Sequence, residues 1–188
     1  MNVSIVVRTP QLYLEFIMKY FLPIALVYLL VLSCVEPKPL SSVDPVNWDK
    51  RTVKSTLSNT LETGSTFLSI YSQIYLRTEN DQADLTATIS LHNPNREARI
   101  YVDKAVYYNT HGEPIRVYFD KTIFIKPMET VQIVIDGVDN EGGTGANFIF
   151  DWKIQPRTNE PIIEAIMIST YGQQGISFVT TGKKLLQP

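Results

Sequence analysis

Oxygen and amide groups capable of chemistry gather in one stretch of the sequence, DGVDNEGGTGANFIFDW, from Asp136 to Trp152. Asp136, Asp139, Asn140 and Glu141, with Asn147 and Asp151 close by, are the ligand types of calcium, which takes about six to eight oxygens. Their spacing lacks the alternating ligands and terminal glutamate of an EF-hand. The metal candidates therefore reduce to Asp136, Asp139 and Asp151, and neither a resident metal nor any other cofactor is expected. In the same stretch Gly142, Gly143 and Gly145 free the backbone for left-handed angles, so successive amides, with Thr144 among the candidate binding residues, can turn inward as an anion-binding nest. A phosphate loop of the nucleotide-hydrolase kind would need a Gly-Lys-Ser/Thr run opening a helix, whereas residues 146–152 alternate as a strand does. The plainer reading is a glycine-rich connection crossing the end of a sandwich.

Other candidates are single residues or pairs. Glu164 interrupts the apolar run IIEAIMI, with Ile163, Ala165 and Met167 on the opposite parity. It belongs on a wet face or, if both faces are covered, beside a buried partner. Gln173 and Gln174, bracketed by Gly172 and Gly175, carry amides that brace a loop or grip a peptide or sugar. Placed at the same end of a sandwich as the glycine-rich loop, they would form one polar surface with Asn147. Phe67, Tyr71 and Tyr75 make either an exposed aromatic stripe or packing beneath a second layer. His92 and His111 stand nineteen positions apart and read as turn residues without a ligand partner at metal spacing. HExxH and GxSxG are both missing, so no familiar catalytic set is present. A hydrolase would need Asp139, Asp151 and Glu164 to converge.

The elements that must position these groups are strands. TFLSIYSQIYLR and DLTATISLHNPN alternate with period two; in the second, Leu85, Ala87, Ile89 and Leu91 face one way and Thr86, Thr88 and Ser90 the other. Asn93, Pro94 and Asn95 then turn the chain. A hairpin is expected around Asn109, Thr110, His111 and Gly112, and segments follow in KTIFIKPMETVQIVIDG, ANFIFDWKI, IIEAIMIST and GISFVTT. Turn signals recur about every 8–12 residues, and no helical crossover long enough for a parallel sheet lies between strands. The expectation is an all-β chain: one antiparallel β-sandwich, immunoglobulin-like or fibronectin-like, over residues 65–183, with a C-terminal tail at 184–188. Charge is sparse, 17 basic against 19 acidic residues in 188, which disfavours nucleic acid as a partner.

The N-terminal third reads as an address. FLPIALVYLLVL, from Phe21 to Leu32, is twelve residues long; spanning a bilayer as a helix takes about 20. With Lys19 ahead and Ser33 behind, it fits the apolar core of a secretory signal occupying residues 1–33. Val31, Leu32, Ser33 and Cys34 resemble the lipobox of bacterial lipoproteins, in which the cysteine is lipidated and the chain is cut before it; Leu32 is larger than the usual residue at its place. Cys34, the single cysteine, is thereby the lipid attachment point rather than a redox or metal group. Reading from Met18 gives the compact signal MKYFLPIALVYLLVLSC, so translation is expected to start there. The alternative keeps residues 12–35 as one uncleaved transmembrane helix. Residues 34–64, with Pro37, Pro39 and Pro45, read as an extended tether, in which Val53, Leu57 and Leu61 recur every four residues and suggest a short helix.

DLTATISLHNPN, GGTGANFIFDW and NEPIIEAIMISTYGQQGISF resemble a bacterial family catalogued as domain of unknown function number 3124, over about residues 65–182. The matching positions include Gly142, Gly143, Gly145, Ala146, Asn147, Glu160, Glu164, Gln173, Gln174 and Gly175. The resemblance implies a small exported or lipid-anchored protein and no particular activity. A fainter similarity, through HNPN followed by a hairpin, is to the water-stress domains of late-embryogenesis proteins and implies the sandwich alone. The reading that joins these observations is a noncatalytic lipoprotein of the cell envelope, held in the membrane by its N-terminal lipid or helix and binding an envelope protein or glycan. The alternatives are a hydrolase built on converged carboxylates and a stress-protective structural protein.

Overall fold

The computed structural model describes residues 47–171 and 174–186. The signal segment, Met18, Cys34 and Gln173 lie outside the described residues. Among those described, no helix is long and apolar enough to cross a membrane.

Period-two patterning dominates what forms. In order, the strands are β1 (Glu62–Ile70), β2 (Gln73–Tyr75), β3 (Gln82–Asp84), β4 (Thr86–His92), β5 (Ile100–Tyr108), β6 (Pro114–Phe119), β7 (Ile123–Ile125), β8 (Thr130–Ile135), β9 (Ala146–Ile154), β10 (Ile162–Tyr171), β11 (Gln174–Thr181) and β12 (Lys183–Lys184). One sheet runs β12-β1-β9-β5-β6, with β7 also on β5; the other runs β11-β10-β4-β8; β2 and β3 form a separate ribbon. Every strand pairing is antiparallel, and the expected sandwich is the fold. Its strands run from Glu62, where β1 starts, to Lys184, where β12 ends.

The core lies between the two sheets. From the first come Leu68, Ile70, Tyr107, Phe148, Phe150 and Trp152, and from the second Ile89, Leu91, Ile133, Ile135, Ile163 and Met167, all buried. Each such side chain contributes about 1.5–3 kcal/mol by leaving water. The Phe148 ring stacks on Tyr107 at 4.8 Å and on Phe150 at 5.2 Å. The indole N–H of Trp152, buried with the rest, donates to Thr66 Oγ1 at 2.9 Å and so leaves no orphaned donor.

Chain crossings between the sheets close the sandwich. β11 belongs to one sheet and β12 to the other, and the chain turns the corner at Gly182, whose amide donates to the Ile163 carbonyl at 2.7 Å. A Cβ there would meet Thr66 Cγ2 at 2.6 Å and that carbonyl at 2.9 Å, so only glycine passes between the layers.

The segment expected as a tether is docked from Trp48 onward. A four-residue helix α1 (Trp48–Arg51) starts where the Asn47 side chain accepts from the Lys50 amide. The Trp48 ring packs on Phe119 at 4.9 Å, Arg51 makes a two-pronged bond to Glu129 at 2.9 and 3.0 Å, and the Val53 amide donates to Thr122. The helix expected from the spacing of Val53, Leu57 and Leu61 does not form. Ser55, Thr56, Ser58 and Thr60 stand between them and favour irregular backbone.

Candidate functional site

The strand register puts the loops into two groups. The β2–β3 ribbon, the 109–113 turn, the 136–145 loop and the β10–β11 hairpin share one end. The 93–99, 126–129 and 155–161 connections share the other, with residues 53–61 entering there.

At the first end the acidic and glycine-rich stretch follows β8. Asp139, whose side chain is fully buried, takes Arg116 Nη1 at 2.6 Å; the other arm of Arg116 reaches Glu141 at 3.2 Å, and Nη1 also donates to the Tyr118 hydroxyl at 3.2 Å. Burial opposes the charge of Arg116, but the bonds to Asp139 and Tyr118 outweigh it and hold the guanidinium above its ordinary value. Burial likewise pushes the Tyr107 hydroxyl above the usual phenol range. This cluster fastens the loop to β6 and keeps its cation occupied.

The glycines are occupied too. Gly142 sits so close to Tyr107 that a Cβ would lie 1.9 Å from its hydroxyl. Gly143, at φ 74°, opens a 3-10 turn that runs to Gly145. Its amide donates to the Asn140 carbonyl, and its own carbonyl accepts from the Ser72 amide and hydroxyl. The Gly145 amide donates to Thr110 Oγ1, and the Thr110 hydroxyl and amide both reach the Gly142 carbonyl. Two amides of the expected nest thus point at protein acceptors, and the arrangement is that of a braced connection. Thr144 lies half-buried in the same turn.

The carboxylates are held apart. Asp139 faces Arg116, whereas Asp151 accepts from the Ser65 hydroxyl at 2.5 Å on the outer face of β9. Glu164 is on the outer face of β10, on the other sheet, 3.4 Å from His92 Nε2, while His92 Nδ1 meets Thr130 Oγ1 at 2.8 Å. The outer faces of the two sheets are opposite sides of the molecule, so these three do not form one centre. Asp136 is half-buried where β8 ends. Among the described residues no group of three or more His, Cys, Asp or Glu side chains could hold a metal ion.

Glu164 shares its face with exposed Ile162, Ile166, Ile168 and Val179, as its parity requires. Asn147 lies on the outer face of the first sheet between Ser69 and Tyr108, and Gln174 pairs with Tyr171 at the β10–β11 hairpin. Both stand at the same end, where the β2–β3 ribbon packs on the 3-10 turn through β2 and on β10 through β3. Tyr71 packs edge-on to Phe178 at 5.7 Å, Phe67 is half-buried, and Tyr75 is exposed, so no continuous aromatic stripe results.

The opposite end holds residues that sequence reading takes for a simple turn. Asn93 and Asn95 are buried, with exposures of 2% and 6%. The Asn93 amide group lies 2.9–3.0 Å from the carbonyls of Ala98, Ile125 and Lys126, and its oxygen accepts from the amide and side chain of Asn95. Asn95 in turn bridges to both backbone groups of Asn159, at 2.8 and 2.9 Å. Two side chains thereby lock three connections together. The available signal was a pair of amides flanking Pro94, each with capacity for several bonds. Outside this lock, Arg96 and Arg157 are exposed on a groove floored by Asn95.

Residues 63–185 match the model of a family described as Protein of unknown function (DUF3124). The chain belongs to this family. The match covers the DUF3124 domain from β1 to just past β12. No curated protein matches the chain. Among solved structures, the crystal structure of Thermotoga maritima 1070 is 9% identical, with 67% of this chain and 96% of that one aligned at a TM-score of 0.39.

Proposed function

We propose that this DUF3124 chain is a noncatalytic binding module of the cell envelope, exported and anchored through Cys34, with its sandwich held outside the membrane. The observation that carries the reading is the end locked by Asn93 and Asn95, where turns immobilised from beneath present exposed polar and charged side chains. Ordering a loop in advance lowers what binding must supply, and rigid scaffolds commonly display recognition groups this way. The separation of Asp139, Asp151 and Glu164 removes the support for a converged-carboxylate hydrolase.

Fractionation of cells expressing the full chain tests the anchor. Wild type is expected in the membrane fraction and labelled by a radioactive fatty acid. Cys34→Ser is expected unlabelled, and released if the signal is still cleaved. A Cys34→Ser protein that stays in the membrane, with its N-terminal segment intact, would point to the uncleaved helix instead. Crosslinking of the wild type in intact envelopes is expected to capture an envelope component. Absence of any adduct would favour the stress-protective reading.

A further inference from the structure

The groove behind the asparagine lock does not end at Asn95. It is lined by Arg96, Glu97, Gln155, Arg157 and Thr158, and Gln155 also borders a second hollow whose wall includes Tyr101 and Leu61. The two hollows are neighbours that share Gln155 in their walls. Arg96 and Arg157 make no ion pair with the described residues, and Glu97 is the one carboxylate among the lining side chains. Arg157 is held at φ 63°, a left-handed conformation that non-glycine residues rarely adopt. Backbone held in that region next to a groove marks a place where geometry is imposed by surrounding structure. Here Asn95 supplies it, by fixing both backbone groups of Asn159 two residues on.

The chemistry of the lining selects a ligand. Two guanidinium forks without carboxylate partners match a carboxylate in two-pronged geometry. Gln155, Thr158 and Glu97 offer donors and acceptors at the density that hydroxyl-rich molecules need. Half-buried Tyr101 offers a flat apolar surface with a polar tip. We propose that this groove binds an acidic oligosaccharide, with a uronate carboxylate at Arg96 and Arg157 and a neighbouring sugar ring laid on Tyr101. The inference rests on the envelope-binding reading above and names the site and ligand class within it.

The test is calorimetric titration of the purified full chain in detergent with short oligogalacturonate, a neutral galactose oligomer of equal length, and an oligoglutamate peptide. Oligogalacturonate is expected to bind, more weakly as salt rises. Arg157→Gly, which suits the left-handed backbone and removes the side chain with its guanidinium, and Arg96→Ala are each expected to weaken it about tenfold or more, the size of one charged hydrogen bond. Tyr101→Ala should weaken it as well, while Arg77→Ala, in the β2–β3 ribbon at the other end, should not. Equal binding of the neutral sugar would overturn the carboxylate contact. Equal or tighter binding of the peptide would overturn the sugar in favour of an acidic protein segment. Lack of binding to all three overturns the site, and so does binding that survives both arginine changes. Membrane attachment scored on the same cultures keeps the two levels apart: failed titration with Cys34-dependent attachment rejects the groove alone, and attachment without Cys34 rejects the anchored reading.

Discussion

The two ends of the sandwich carry arginines in opposite conditions. At one, Arg116 is almost enclosed and faces Asp139, Glu141 and Tyr118; at the other, Arg96 and Arg157 stand exposed over a groove with Glu97 as the lining carboxylate. The buried cluster contains the more perturbed groups, which is where an active site is ordinarily sought. Yet a guanidinium already matched by carboxylates has little left for a ligand, and its environment is that of a fastener. The exposed pair has no such match. Burial and perturbation mark where charge is held, and two guanidiniums lined up with a single carboxylate, Glu97, mark where it is offered.

The contrast can be broken from the buried side first. Asp139→Ala strips the principal partner from an enclosed cation and is expected to cost about 3–5 kcal/mol, read as a large drop in the urea midpoint, without loss of ligand binding at the far end in whatever fraction remains folded. Next comes Asn95→Ala, which leaves the amide and carbonyl of Asn159 and the oxygen of Asn93 short of partners. Its expected cost is about 1–3 kcal/mol, and unlike the Asp139 change it should weaken oligogalacturonate as well, because it releases the groove wall.

A smaller effect is expected at the docked helix. The hydrogen bonds from Arg51 hold the Glu129 carboxyl below its ordinary value. Because the folded state lowers this value, the stabilisation is present above the usual carboxylate range and fades as pH falls through the lowered one. Glu129→Gln should therefore cost about 1 kcal/mol near neutrality and progressively less on acidification, so melting curves of the two proteins converge at low pH. Smallest of all is Arg157→Gly. It relieves a left-handed residue and is expected to leave the melting temperature unchanged or slightly raised, while binding falls. A clear loss of stability there would make Arg157 a fastener like Arg116 and erase the contrast.

What could be read from the sequence followed the period of the strands. Leu85, Ala87, Ile89 and Leu91 are buried in one row, and the parity that separated Glu164 from Ile163, Ala165 and Met167 placed its carboxylate on the outer face. Such patterns lie within a few residues of one another and need no knowledge of the partner strand. The pairs that define the two ends are remote by comparison. Arg116 and Asp139 are 23 positions apart, and Asn95 and Asn159 are 64 apart. On Asn159 the partners of Asn95 are backbone groups, which no residue type announces. Trp48 was hidden for the same reason: its stretch is rich in proline and serine, and it is Phe119, brought over by the β6 hairpin, on which the ring packs. The glycines Gly142, Gly143 and Gly145 were conspicuous, but composition cannot say whether an amide points to solvent or to Thr110.

β12 is only two residues long, and both are lysine. It lies along β1, pairing Lys184 with Thr66 and Lys183 with Phe67. Lys184 meets Glu160 and stands 5.5 Å from the centre of the Trp152 ring. An open sheet edge is a template on which further chains can stack, and a brief, charged outer strand is a common way to refuse them. If many copies are crowded side by side on one surface, that refusal sets whether they remain separate molecules or begin a fibre. A chain that stopped at Thr181 would lack both lysines and present the backbone of Thr66 and Phe67 to its neighbours.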